Sequence, residues 1–272
     1  MKKLLFAITM LLLLSSGCKL DSFLFNEKTI SKYELPGNTI PDSLIKQETF
    51  QSGGNKLYGY WIASGDPYNN LTILYCHGNK NNIDNYWDRV MYLHGLGVNI
   101  FIFDYRGFGM SGGKSSETGL HEDGSSALNF IMSKYNVKAD SLCLYGYSLG
   151  NVVSIYLAAE VVNPYRLIAE APFASANSLT QGSLILDIPQ GWLTEGTFNN
   201  ADEIKRIKTP FLLLHGTADD FVRYRDNGRV VYENAPEPKK LILVEGAVHT
   251  NVPETMGINK YRQTLRSFMN IK

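Results

Sequence analysis

The chain has 272 residues, 44% of them hydrophobic, enough for one sizeable globular core. The 26 Lys and Arg balance the 26 Asp and Glu, so the formal net charge is zero. That balance removes any broad electrostatic drive toward nucleic acid, and the lack of repeats excludes a solenoid.

Met1-Lys2-Lys3 precedes an almost wholly apolar run, Leu4 to Leu14. A spanning helix needs roughly 20 apolar residues, so the run is too short to cross a bilayer and fits the centre of a secretory signal. Ser15-Ser16-Gly17-Cys18 follows. The arrangement resembles a bacterial lipoprotein signal. That resemblance implies removal of residues 1–17 and acylation of Cys18, although Ser15 stands where leucine is more usual. The alternatives are an ordinary cleaved signal and an uncleaved anchor. The expectation is an exported, membrane-anchored protein, and Lys19 after the cysteine favours the outer membrane in a Gram-negative cell. Residues 18–43 read as a tether that includes the turn-prone Leu35-Pro36-Gly37-Asn38.

Residues 44–272 read as one domain in which apolar strands alternate with helices. Strands are expected at Lys56–Ala63, Leu71–Cys76, Val98–Asp104, Ser141–Tyr147, Arg166–Pro172, and in "PFLLLHG" and "KLILVEG". Helical spacing appears in "IDNYWDRVMYLHGLG", at Glu117–Tyr135, at Leu149–Val162, around Arg223–Asn234 and from Glu254 to Met269. Such alternation means a mostly parallel sheet with helices on both faces. Residues 173–200 break the rhythm and read as a small cap above the strand ends. Ligands of such sheets bind at the carboxyl ends of the strands.

Gly146-Tyr147-Ser148-Leu149-Gly150 is G-x-S-x-G placed between a strand and a helix, the context of a nucleophile elbow. Asn151 stands where glycine or alanine is commoner, and is expected to crowd the helix a little. A serine hydroxyl needs a base. In the chain order Ser, Asp, His, the candidates are Asp219 with Asp220 as its rival, and then His249, each on a loop after a strand. The oxyanion formed on attack needs preplaced donors. The backbone N–H groups of Leu149 and of Asn79, in "YCHGNKNN", are assigned to it. His77 reads as a brace for that loop, and His215 as structural. No His, Cys and acidic residues have metal-ligand spacing, so neither metal nor cofactor is expected.

These residues resemble the α/β-hydrolase superfamily over about residues 50–270, and most closely its small-capped branch that includes serine-aminopeptidase-like hydrolases. The resemblance rests on "HGN" (77–79), "FDYRGFGMSGGKSSETGL" (103–120), "APFAS" (171–175) and "HGTADDFV", beside the elbow. It implies the α/β-hydrolase fold, an eight-stranded sheet with its second strand reversed. Asp104 and Arg106 are expected to hold their loop by polar contacts. Glu170 and Glu245 read as network or loop carboxylates. Phe173, Trp192 and Phe198 read equally as acyl-pocket lining or ordinary core. Cys76 and Cys143 read as buried thiols, with a disulfide as the lesser alternative.

The function expected is hydrolysis of a small acyl substrate, an ester ahead of a thioester or amide, through an acyl-enzyme on Ser148. An acyltransferase with the same intermediate, an aminopeptidase-like hydrolase and a non-catalytic envelope lipoprotein are the rivals. Oligomeric state is not legible in the sequence.

Overall fold

A computed structural model describes residues 25–66, 68–181 and 196–271. Residues 1–17, Cys18 and Trp192, with the readings attached to them, lie outside the described residues.

Eight strands form one sheet: β1 (Ile45–Ser52), β2 (Asn55–Ile62), β3 (Thr72–Cys76), β4 (Asn99–Phe103), β5 (Leu142–Tyr147), β6 (Arg166–Glu170), β7 (Phe211–Gly216) and β8 (Lys239–Val244). Their order across the sheet is β8-β7-β6-β5-β3-β4-β2-β1. β2 runs antiparallel to both neighbours, and all other pairings are parallel. The α/β-hydrolase fold, with its reversed second strand, is therefore present.

Both parities of the central strands are buried. Leu74, Cys76, Leu142 and Leu144 join the core layer beneath α2 (Glu117–Lys134) and α3 (Gly150–Tyr156). Ile73, Tyr75, Cys143 and Tyr145 join the opposite layer with Trp87 and Val90 of α1 (Trp87–His94). Near-continuous apolar runs are what a sheet covered on both faces requires. Cys76 and Cys143 lie in different layers and are both free, so no bridge between them forms.

Three local features depart from the sequence expectation. β1 is an edge strand whose polar composition hides it: its inward Glu48 is buried, and is met by Lys46 (2.9 Å), the Tyr135 hydroxyl (2.7 Å) and Lys134. The helix expected at 149–162 widens after Tyr156, ending with the Val162 N–H donating to the Leu157 carbonyl at 2.9 Å. The last helix is two pieces, Val252–Met256 and Ile258–Phe268, divided at Gly257 with φ +85°.

The larger correction concerns residues 18–43. From Phe25 onward this segment is not a loose tether but packs on the domain as a strap. Phe25 lies 5.9 Å from Phe198 between ring centroids. Asn26–Glu27 pairs in parallel with Lys80–Asn81. The Gly109 N–H donates to the Lys28 carbonyl (3.0 Å), the Ile30 N–H donates to the Gly109 carbonyl (2.9 Å), and the Tyr33 hydroxyl donates to Asp104 Oδ2 (2.6 Å). Such a strap has no apolar period to read, because backbone bonds and a few spaced aromatic rings hold it.

α4 (Ala176–Gln181) and α5 (Asn200–Glu203) lie on either side of residues outside the description, within and at the end of the segment expected as a cap. The Glu117 carboxylate, at the start of α2, accepts from the N–H groups of Thr197 (2.8 Å) and Phe198 and ties the returning chain down. Nearby, burial pushes the Glu203 carboxyl up to about 7, with Glu117 and Glu160 adding to the rise and Arg206 opposing it. A carboxyl with a raised folded pKa binds its proton more tightly when folded, so its contribution to stability falls as pH rises from 4.5 to about 7. Glu203→Gln should therefore raise the thermal midpoint at pH ~8 and change it little near pH ~4.5, as read by calorimetry. Equal shifts at both pH values would contradict this.

Candidate active site

The chain turns sharply at the end of β5. Ser148 has φ +51°, a left-handed conformation that costs a non-glycine residue roughly 1–3 kcal/mol. Its N–H donates to the Glu170 carbonyl at 3.0 Å, and its carbonyl accepts the Asn151 N–H at 3.1 Å. The flanking glycines allow the turn to close. A Cβ on Gly150 would lie 1.9 Å from the Cys76 carbonyl oxygen, and one on Gly146 would lie 2.2 Å from Ser154 Oγ. Asn151 does more than crowd the helix. It is fully buried, and its Nδ2 donates to the carbonyls of both Ser148 and Glu170, each at 3.0 Å.

The three side chains expected to meet do so. His249 Nε2 is 2.9 Å from Ser148 Oγ, and His249 Nδ1 is 2.8 Å from Asp219 Oδ2. Asp219 is buried at the end of β7, and its Oδ1 accepts from the N–H groups of Phe221 (3.1 Å) and Val222 (2.7 Å). Burial pushes its carboxyl up, but hydrogen bonds from His215 and His249 outweigh that and hold it well below the usual carboxylate range. Of the two aspartates, Asp219 is the one that meets His249, and Asp220 is exposed. The loops of Asp219 and His249 are joined by the Ala218 N–H donating to the Ala247 carbonyl at 3.0 Å.

Asn79 lies on the wall of a cavity of about 400 Å³ that also holds Arg89, Tyr147, Ser148, Phe221 and His249. Leu149 caps the start of α3, and the N–H groups of Asn151 and Val152 turn back to the carbonyls of Ser148 (3.1 Å) and Leu149 (3.0 Å). The loop carrying Asn79 is braced as expected. His77 is buried between Tyr86 (4.9 Å between centroids) and Tyr105 (4.5 Å), with Nδ1 2.7 Å from the Gly78 carbonyl and Nε2 3.0 Å from Asp104 Oδ1. Burial raises the Asp104 carboxyl, against the pull of His77 and Tyr33. Arg106 is held by Asp123 and Glu122, each 2.7 Å from Nη2. Phe173 and Phe198 are buried in the core and do not line this cavity. Among the described residues no three His, Cys, Asp or Glu side chains gather as a metal would require.

Behind these lies a polar layer around Glu170, which the sequence offered as a network or loop carboxylate, with Arg89, which it did not single out. Arg89 is buried against Glu170, its guanidinium carbon 4.3 Å from the Tyr147 ring centroid and its Nη2 3.4 Å from the Thr250 carbonyl. Glu170 also accepts from the Tyr145 hydroxyl. The Tyr147 hydroxyl donates to the His249 carbonyl at 3.1 Å. The residue beside the serine thus pins the backbone of the histidine. A charged residue on the apolar face of α1, between Tyr86 and Val90, was the available signal for this network.

A family model described as "Serine aminopeptidase, S33" matches residues 69–195. The protein YfhR of Escherichia coli K12, itself uncharacterized, is 31% identical over 239 residues, covering 84% of this chain and 81% of that protein. The human alpha/beta hydrolase domain-containing protein 17B is 30% identical over 228 residues, covering 82% and 74%. The chain belongs to the α/β-hydrolase family. Among solved structures, the Pyrococcus furiosus esterase Pf2001 superimposes on this α/β hydrolase with a TM-score of 0.72 at 22% identity, covering 91% of this chain and 97% of the esterase. That likeness concerns the fold.

The bridge made by Asn151 in this α/β hydrolase yields a test. Asn151→Ala removes one of the two donors on each of two buried carbonyls, and at about 0.5–1.5 kcal/mol per hydrogen bond it should cost about 1–3 kcal/mol in urea unfolding. A change within about 0.5 kcal/mol would mean that the elbow does not depend on it.

Proposed function

We propose that this α/β hydrolase cleaves small esters through an acyl-enzyme on Ser148. The observation that carries the reading is the 2.9 Å approach of His249 Nε2 to Ser148 Oγ, with Asp219 2.8 Å from the other ring nitrogen. Ser148 Oγ attacks the acyl carbon as His249 takes its proton. The ionised Asp219 stabilises the imidazolium that results. The carbonyl oxygen becomes an oxyanion facing the N–H groups of Asn79 and Leu149. Collapse of the tetrahedral intermediate breaks the ester C–O bond, and His249 returns its proton to the leaving alcohol. A water then gives its proton to His249, adds to the acyl carbon, and releases the acid and free Ser148.

A cavity of about 400 Å³ suits a small acyl group. Esters come first because fold neighbours include the Pyrococcus esterase and an acetyl xylan esterase from Paenibacillus. The match to the serine aminopeptidase model favours amide hydrolysis as the second reading. Turnover of p-nitrophenyl esters of increasing length, beside aminoacyl amides, separates the two.

Ser148→Ala should lower kcat by roughly 10⁴-fold or more and abolish labelling by a fluorophosphonate. Asp219→Asn should cost on the order of 10⁴, while Asp220→Asn keeps activity. Retained turnover or labelling in Ser148→Ala would refute the mechanism.

The N-terminal residues support a location as part of the same proposal: export, with acylation at Cys18 and anchorage at a membrane surface. Cys18 lies eight positions before Asn26, a reach of at most about 30 Å at full extension. Incorporation of a fatty-acid probe should be lost in Cys18→Ala, and persistent incorporation would refute the anchor. No helix among the described residues is long and apolar enough to cross a membrane.

A further inference from the structure

We infer that the N-terminal strap is a working part of the active site: by fixing the peptide between Asn79 and Lys80, it completes, beside the His77 contact with the Gly78 carbonyl, the hold that directs the Asn79 N–H toward the oxyanion. The inference rests on the acyl-enzyme reading above and names a positioning role within it.

The loop after β3 is held one peptide at a time. The carbonyl of His77 accepts from the Tyr105 hydroxyl at 2.8 Å, which fixes the peptide joining residues 77 and 78. The peptide joining residues 79 and 80 is held on both sides. Its carbonyl, on Asn79, accepts from the Asn26 N–H at 3.2 Å, and its N–H, on Lys80, donates to Tyr86 Oη at 2.7 Å. Between these two lies the peptide whose N–H belongs to Asn79 and whose carbonyl, on Gly78, lies 2.7 Å from His77 Nδ1. It follows a glycine, the residue most permissive of backbone rotation. With His77 on its carbonyl and both neighbours held, the middle peptide turns only if that contact breaks and Gly78 and Asn79 change together. There is little room for that, since Tyr86 Oη lies 2.9 Å and the Tyr147 ring 3.2 Å from where a Cβ on Gly78 would stand.

Tyr86 and Tyr105 belong to the domain proper. The pin on the Asn79 carbonyl comes from the strap, through the short ladder of Asn26–Glu27 with Lys80–Asn81. The strap is itself firmly seated. Glu27 Oε1 accepts from the Ser115 N–H at 3.0 Å, and Tyr33 reaches the buried Asp104. Further on, the N–H groups of Glu34 and Leu35 donate to Asp84 Oδ1 at 3.1 and 2.9 Å. Asp84 follows closely on Lys80 and Asn81, so the strap grips the oxyanion loop and the turn after it. An oxyanion donor acts through preplacement, and a donor free to swing away loses much of its effect.

The test uses the full chain and the donor itself. Asn26→Pro removes the N–H that meets the Asn79 carbonyl, and Asn26→Ala, which removes the same side chain but keeps the N–H, is the reference. Because the donor is loosened rather than lost, the Pro variant should show kcat about 10-fold below the Ala variant on a p-nitrophenyl ester, less than the 10²–10³ for a deleted donor. KM should stay within about twofold, the two thermal midpoints should agree, and a trifluoromethyl ketone, which forms a tetrahedral adduct, should bind about 10-fold more weakly to the Pro variant. Equal kcat and equal inhibitor affinity in the two folded variants would overturn the inference. If Asn26→Pro does not fold, Glu27→Ala at an exposed position takes its place. It should show a roughly threefold loss confined to kcat, and wild-type kinetics there would overturn the inference. Fluorophosphonate labelling of wild type but not of Ser148→Ala keeps the two claims distinct: without it the acyl-enzyme reading fails, and the strap's role fails with it.

Discussion

The left-handed backbone of Ser148 is the constraint around which the site is arranged. A non-glycine residue takes that conformation only where its surroundings over-determine it. Here the Glu170 carbonyl, the Asn151 side chain and two close-packed glycines do so. The consequence is positional: the hydroxyl stands at the carboxyl end of β5, at the head of α3, facing the loops that follow β7 and β8. Neighbouring parallel strands bring those loops together, so residues 148, 219 and 249 meet although 101 positions separate the serine from the histidine.

Behind the reacting atoms lies a polar layer in an otherwise apolar interior. Glu170, Arg89, Tyr145 and Tyr147 satisfy one another and spend their remaining donors on the carbonyls of His249 and Thr250. A buried ion pair adds little net stability compared with apolar packing, but leaving one partner unpaired is costly. The arrangement is therefore rigid in one specific form, which suits a loop whose histidine must keep its distance from a hydroxyl. The loop carrying Asn79 is held by the same kind of contact, through Tyr86 and Tyr105. Tyrosine hydroxyls on backbone groups are a recurring device in this molecule.

The parts legible in the sequence were those with a short-range signature. Apolar runs such as "LTILYC" and "FLLLHG" declared the central strands, and the elbow declared itself by its glycines and its place between a strand and a helix. The order Ser, Asp, His supplied the candidates, while two adjacent aspartates left open which one meets His249; in the fold Asp219 is buried against it and Asp220 is exposed. What stayed hidden was fixed by tertiary contact alone. β1 places the charged Glu48 at an inward, buried position, so it shows no apolar alternation that would mark it as a strand. Gly257 breaks the last helix by a positive φ that spacing does not reveal. The strap looked like a tether because its partners, Asp84, Asp104 and Gly109, lie far along the chain. Arg89 and Tyr147 looked ordinary for the same reason.

The proposed mechanism turns on a covalent bond between Ser148 Oγ and an acyl group, and such a bond can be sought directly. The wild-type chain, mixed with a p-nitrophenyl ester, quenched in acid within the first turnovers and digested, should yield a peptide containing Ser148 that is heavier by one acyl group. The adduct should disappear as the ester is exhausted. Steady ester turnover with no acyl mass on that peptide, or with the mass on another residue, would contradict the mechanism.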